Sequence, residues 1–222
     1  MSQHPDNNVA NGPTHAVILC HPDPQSFNAV VAQTYCDTVG EFGHQTIVRD
    51  LYKMKFDPVL RADERPSSEA FVAVDDVAAE LSALERAEVI VFVYPIWFGS
   101  PPAMMKGYVE RVLGAGFGHR LMRDRSGNSV ARGKHLMSIS TSGNSFQWLN
   151  EQGAWTSLRT VFDGYIANTF SMASNEHLHL ANIVEDLSEH NFRSELYRVK
   201  DAATKVCARL LEASQAAEQA TK

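Results

Sequence analysis

Three short segments of the chain concentrate residue types that hold and polarise a ligand. His21-Pro22-Asp23-Pro24-Gln25-Ser26-Phe27-Asn28 combines an imidazole, a hydroxyl and a carboxamide with two prolines. Ser26 or Asn28 can open a helix, whose unpaired N–H groups and partial positive charge attract phosphate. Helix capping alone accounts for the same residue types. Tyr94-Pro95-Ile96-Trp97-Phe98-Gly99-Ser100-Pro101-Pro102 places two large aromatics in a tight segment. A flat ligand, a partner surface or the core would take them up. Thr141-Ser142-Gly143-Asn144-Ser145 offers small side chains and backbone donors.

The elements around these segments decide whether they meet. His15 to Cys20 is a short apolar run closed by prolines and reads as a buried strand. A helix is predicted over Asn28 to Phe42, stopped by Gly43, and a second strand over Thr46 to Val48. Asp75 can cap a helix running to Ala87, with Val77, Leu81 and Leu84 at helical spacing. Val89 to Tyr94 is apolar at every residue, the pattern of a strand covered on both faces of a parallel sheet. A helix from Pro101 to Leu113, a strand from Lys134 to Ser140 and a helix from Trp155 to Asn168 follow. A short strand is predicted over Thr169 to Ala173, then a long helix over Ser188 to Ala217. This alternation predicts an α/β fold, a three-layer, doubly wound sandwich in which ligands bind beyond the carboxyl ends of the strands. The three segments all fall on such loops. A phosphate site, an aromatic wall and a donor-rich loop at one switch point fit a flavin nucleotide.

Composition narrows the function classes. The 222 residues are 44% hydrophobic and 21% charged, with a net charge of −6, which suits one soluble, cytoplasmic globular domain. No basic face for nucleic acid is evident, and no apolar run approaches the roughly 20 residues that span a bilayer. Residues 1–13 read as a flexible leader without a secretory pattern, 14–217 as a single domain and 218–222 as a tail. Cys20, Cys36 and Cys207 have neither disulfide nor zinc spacing and read as small core residues. His177 and His179 could chelate a metal, but two histidines alone make a poor site, so no metal site is expected.

Other signatures fail. Gly114-Ala115-Gly116-Phe117-Gly118 is not a dinucleotide fingerprint, Gly127 to Lys134 is one residue too long for a P-loop, and no GxSxG elbow exists. Arg120, Arg123, Arg125 and Arg132 could meet nicotinamide phosphates or form a solvated basic loop.

The His21-Pro22…Ser26-Phe27-Asn28 stretch, Asp50-Leu51-Tyr52 and the run from Pro95 through Gly107-Tyr108 to Val112 together resemble the flavodoxin-like NAD(P)H:quinone oxidoreductases. The resemblance covers about residues 14–175 and implies a five-stranded parallel sheet of order 2-1-3-4-5. It also implies bound FAD, with FMN an alternative, NAD(P)H as co-substrate and a homodimer. Hydride would pass through the flavin to a quinone or similar acceptor by a ping-pong mechanism. By the same resemblance His21, Ser26, Phe27 and Asn28 hold the flavin phosphate. Pro95, Ile96, Trp97, Phe98 and Gly99 line the ring edge, and Thr141, Ser142 and Gly143 close its pyrimidine side. Trp148 and Trp155 fall nearest to the positions where mammalian members carry catalytic Tyr and His. An electron-carrier flavodoxin and a flavin-binding regulatory subunit of a membrane transporter stay open as other readings.

Overall fold

The computed structural model describes residues 12–65, 73–116 and 129–220. Five strands, β1 (Thr14–Leu19), β2 (Gln45–Asp50), β3 (Val89–Pro95), β4 (His135–Thr141) and β5 (Ser174–Leu180), form one sheet in the order β2-β1-β3-β4-β5. Every pairing is parallel. Strand side chains alternate between faces, and this splits the core in two. Ala16, Ile18, Ile90, Phe92 and Leu136 pack against α2 (Asp75–Glu85), α3 (Ala103–Tyr108) and the segment around Phe162. Val17, Leu19, Val91, Val93 and Ile139 face α1 (Phe27–Glu41) and α7 (Glu189–Ala220) instead. Apolar residues on both faces make the central strands continuous hydrophobic runs.

The chain leaves β1 toward β2 on one side and returns to β3 on the other. The carboxyl ends of β1 and β3 therefore flank the point where the winding reverses, which opens a crevice for the connecting loops. Gly43 closes the α1 turn with φ 76°, and its N–H reaches the Gly40 carbonyl at 2.9 Å. Asp75 lies in the first turn of α2, while Val74 takes the cap position.

Two local expectations need correction. The fifth strand is Ser174–Leu180 and not Thr169 to Ala173. Residues 165–169 form helix α6 (Tyr165–Thr169), Ser171 turns the chain at φ 53°, and buried Phe170 ends the helix. The real edge strand, Ser-Asn-Glu-His-Leu-His-Leu, is polar because its side chains pair with β4, α7 and Asp163, so no apolar run marks it. The segment after β4 also contains α4 (Phe146–Glu151), with Ser145 as its cap. The helix expected from Trp155 to Asn168 is α5 (Ala154–Leu158), a wide π-type turn (Arg159–Gly164) and α6. The three cysteines are free, and burial pushes their thiols up, to about 12 for Cys20 and about 11 for Cys36 and Cys207. No helix of the described residues is long and apolar enough to cross a membrane.

Arg111 is the largest fully buried side chain among the described residues. Its guanidinium bonds Glu64 at 2.7 Å, Asp76 at 2.7 Å and the Asp57 carbonyl, tying the segment after β2 to α2 and to the turn (Val109–Leu113) that continues α3. Arg111 holds the Glu64 and Asp76 carboxyls below the usual carboxylate range. Their pairing therefore stabilises the fold above the ordinary carboxyl pKa and is lost as pH falls through the depressed values. Arg111→Met is expected to lower stability by about 3–5 kcal/mol in urea unfolding at pH 7, because two carboxylates lose their buried partner. The variant should also lose stability less steeply than wild type on acidification.

Candidate functional site

The loops leaving β1, β3 and β4 are joined by specific bonds. Asn28, in the first turn of α1, donates its side-chain N–H to Thr141 Oγ1 at 3.0 Å, and both residues are buried. The Thr141 carbonyl accepts the Ile96 N–H at 2.7 Å, and the Leu180 carbonyl accepts the Ser142 N–H at 3.0 Å. One residue at the end of β4 thus fixes α1, the loop after β3 and, through its neighbour, the end of β5.

These bonds frame an open cleft of about 360 Å³ at the switch point, a size usual for small-molecule sites. From the first loop it takes His21, Ser26, Phe27 and Asn28, and from the second Pro95, Ile96 and Trp97. Thr141, Ser142 and Gly143 supply the third wall. Phe98 and Gly99 do not line it. Trp97 and Ser100 exchange backbone hydrogen bonds, and Phe98 and Gly99 between them have φ 51° and 80°. That is the left-handed pair of a tight hairpin turn, a conformation a bulky aromatic adopts only under constraint. It leaves the Phe98 ring wholly exposed.

Ser26 Oγ accepts the Ala29 N–H at 3.3 Å and caps α1, so its own proton stays available. His21 Nδ1 accepts the Asp23 N–H at 3.0 Å, which leaves Nε2 as the ring's donor, and the ring lies 5.7 Å from that of Trp97. Trp97 is 39% exposed and offers a flat surface. Sequence reasoning missed Asp23 as a wall residue and the whole contribution of Ile183, Val184 and Glu185 after β5. The misplaced strand hid that contribution, because the register of β5 carries those residues to the cleft.

Trp148 and Trp155 do not line the cleft. Trp148 is about half exposed on α4. Trp155 packs at 5.4 Å from Phe146, 4.9 Å from His177 and 5.5 Å from His179. His177 finds its acidic partner away from its neighbour in sequence: its Nδ1 is 2.6 Å from Asp163 Oδ2, while the adjacent Glu176 pairs with Arg209. Of the arginine loop, Arg120, Arg123 and Arg125 lie outside the described residues. At the opposite end of the sheet, His15, His44 and Cys207 bring ligand-capable atoms within 4.8 Å of one another. His15 is hydrogen-bonded there to Tyr35 and His44, both at 2.9 Å. Burial and then the neighbouring His44 push His15 down to about 3, so that ring is neutral.

The family model described as flavodoxin-like fold matches residues 13–203. The chain belongs to the flavodoxin-like fold family. Within the reach of this family, an uncharacterised NAD(P)H oxidoreductase of Haemophilus influenzae is 31% identical over 147 residues, covering 65% of this chain and 71% of that protein. The chain spans about half the length of several other curated relatives that it matches. Among solved structures, the NAD(P)H:quinone oxidoreductase from Methanothermobacter marburgensis superposes with a TM-score of 0.74 at 21% identity, over 88% of this chain and 96% of that one. An FMN-dependent NADH-azoreductase from Bacillus anthracis, in complex with FMN, gives 0.61 at 14% identity, over 88% and 99%. At these identities the structural likeness speaks to the fold.

Thr141→Val keeps the shape of the side chain and removes its hydroxyl. The buried Asn28 amide then loses its partner, and urea unfolding should show a loss of about 1–3 kcal/mol. A loss below measurement error would mean that this bond does not hold the loops together.

Proposed function

We propose that the cleft holds a flavin nucleotide, FAD or FMN, and that the protein passes a hydride from NAD(P)H through it to a quinone or similar electrophilic acceptor. The observation that carries this reading is the meeting of a capped helix start, a flat exposed indole and a donor-rich loop in one cleft of fitting size. A flavin supplies two-electron transfer between nicotinamide and acceptor, while the chain supplies position and electrostatics.

In this reading the α1 start, with His21, Ser26 and Asn28, holds the phosphate through N–H and O–H donors, Phe27 packing beside them. Asp23 and Glu185 also face the cleft, and no lysine or arginine of the described residues lines it. Pro95, Ile96 and Trp97 flank the ring. The Ser142 N–H is spent on the Leu180 carbonyl, so in this reading the Gly143 N–H of this loop is the donor to the side where a bound ring would carry negative charge. With a flavin in place, nicotinamide and acceptor would use the open face of the cleft in turn, a ping-pong sequence, with stacking setting their approach distance. The names of its relatives, an NAD(P)H oxidoreductase and an NAD(P)H:quinone oxidoreductase, favour this over a pure electron carrier.

A second copy of the chain completes the site in this proposal. Phe98, Val161 and Tyr165 are exposed, and an apolar groove of about 370 Å³ runs between α3 and the π-type turn. Exposed apolar surface of this kind marks an interaction face. Sedimentation should report a homodimer, and Phe98→Glu should shift it toward monomer.

His21→Ala and Asn28→Ala should lower the flavin retained through gel filtration more than turnover per bound flavin. Absorbance at the flavin band and NAD(P)H–quinone assays measure the two quantities. Variants that keep full flavin yet lose turnover would contradict the role assignment.

A further inference from the structure

Behind the cleft, five side chains form one continuous hydrogen-bonded chain. Ser142 Oγ donates to the Asn144 carbonyl at 2.9 Å and lies 3.1 Å from His179 Nε2. His179 Nδ1 is 2.9 Å from Ser140 Oγ, which is 2.6 Å from His177 Nε2. His177 Nδ1 is 2.6 Å from Asp163 Oδ2. Asp163 also accepts the Ser138 hydroxyl at 2.8 Å and Arg159 at 3.0 Å. The inner end is sealed: the side chains of His177 and Asp163 are fully buried, as is Ser140. Trp155 covers both imidazoles. The outer end, Ser142, lines the cleft.

The protons in this chain can be counted, because a hydroxyl donates only once. A carbonyl only accepts, so the Ser142 proton goes to Asn144, and His179 Nε2–H must donate to Ser142. Burial, then His177 and Arg198, push His179 down to about 4, so it is neutral near pH 7 and its Nδ1 carries no proton. Ser140 therefore gives its proton to His179 Nδ1 and accepts one from His177 Nε2–H. The other nitrogen of His177 faces a carboxylate and donates as well. His177 thus holds two ring protons beside Asp163.

We propose that Asp163, His177, Ser140, His179 and Ser142 form a proton relay that hands one proton to the acceptor in the cleft; this rests on the oxidoreductase reading above. Reduced nicotinamide loses a hydride, and the quinone that finally gains it becomes a hydroquinone monoanion. The oxygen of that anion takes the Ser142 hydroxyl proton. Ser142 takes the proton from His179 Nε2, His179 Nδ1 takes that of Ser140, and Ser140 takes that of His177 Nε2. The contacts between side chains of the relay survive with donor and acceptor exchanged, except His177 Nδ1–H, which still donates to Asp163; the Ser142 hydroxyl gives up its bond to the Asn144 carbonyl, turning first to the acceptor and then to His179 Nε2. One proton has left, so nicotinamide, quinone and one proton become oxidised nicotinamide and hydroquinone. Water entering the cleft reloads the chain by the reverse shifts. Asp163 and Arg159 act as positioning residues, since neither reaches the cleft.

Two measurements test the relay on the full chain. Nitrogen-15 NMR of the histidine rings at pH 7, assigned with His177→Gln and His179→Gln, should find both nitrogens of His177 protonated and only Nε2 of His179. A His177 ring with one proton overturns the relay. Turnover with a quinone is then compared with turnover with ferricyanide, which takes electrons and no proton. In Ser140→Ala the quinone-to-ferricyanide ratio should fall about 100-fold, the scale of a lost general acid, and Ser140→Thr should restore it. Ser142→Ala breaks the chain at the cleft wall, serves if Ser140→Ala does not fold, and should give the same fall. An unchanged ratio in a folded variant overturns the relay. Wild-type protein inactive with both acceptors contradicts the oxidoreductase reading instead, and the count of His177 ring protons then decides the relay alone.

Discussion

Thr141 is the residue on which the geometry of the cleft depends. Its backbone belongs to β4, its hydroxyl receives Asn28 from α1, and its carbonyl receives Ile96 from the loop after β3. A parallel sheet delivers the ends of β1, β3 and β4 to the same edge, but it does not by itself fix the loops that follow them. Two short bonds to one residue do so, over a sequence separation of 113 positions for the Asn28 contact. The aromatic turn, the capped helix start and the donor loop are then held in one frame. Binding a large, flat, charged ligand benefits from such preorganisation, since less ordering remains to be done on association.

Most of the fold was legible because its central strands are buried on both faces. Val89 to Tyr94 and His15 to Cys20 could hardly be anything but interior strands, and the prolines and Gly43 marked their neighbours' ends. The same logic failed at β5. An edge strand whose side chains are Glu176, His177 and His179 carries its burial as hydrogen bonds and ion pairs, which leave no periodic apolar signal. The apolar Phe170 and Met172 just before it drew the reading instead, and they are the end of a helix packing into the core. Helix α4 was missed for a related reason: Thr141 to Asn150 reads as Gly/Ser/Asn loop, and only Ser145 bonding back to Trp148 reveals its cap.

At the site, residue types marked three loops, and the topology explains why those three converge. Ile183 to Glu185 could not be found, since their place follows from the register of β5. The Asp163–His177 contact was equally hidden, 14 residues apart in sequence and joined through the π-type turn that lies over β5. The Tyr94 hydroxyl adds to the polar character of this region, buried without a hydrogen-bond partner among the described residues. Phe98 illustrates the opposite case. Its residue type was read as part of the ring edge, but a left-handed hairpin turn carries it outward, where a partner surface is its natural cover.

The account stands on the cleft being a flavin site. The most direct test is the visible absorption spectrum of the purified full chain after incubation with FAD or FMN and removal of the excess, with the retained flavin identified by chromatography. The account predicts a yellow protein holding about one flavin per chain. A colourless protein that retains neither would contradict it.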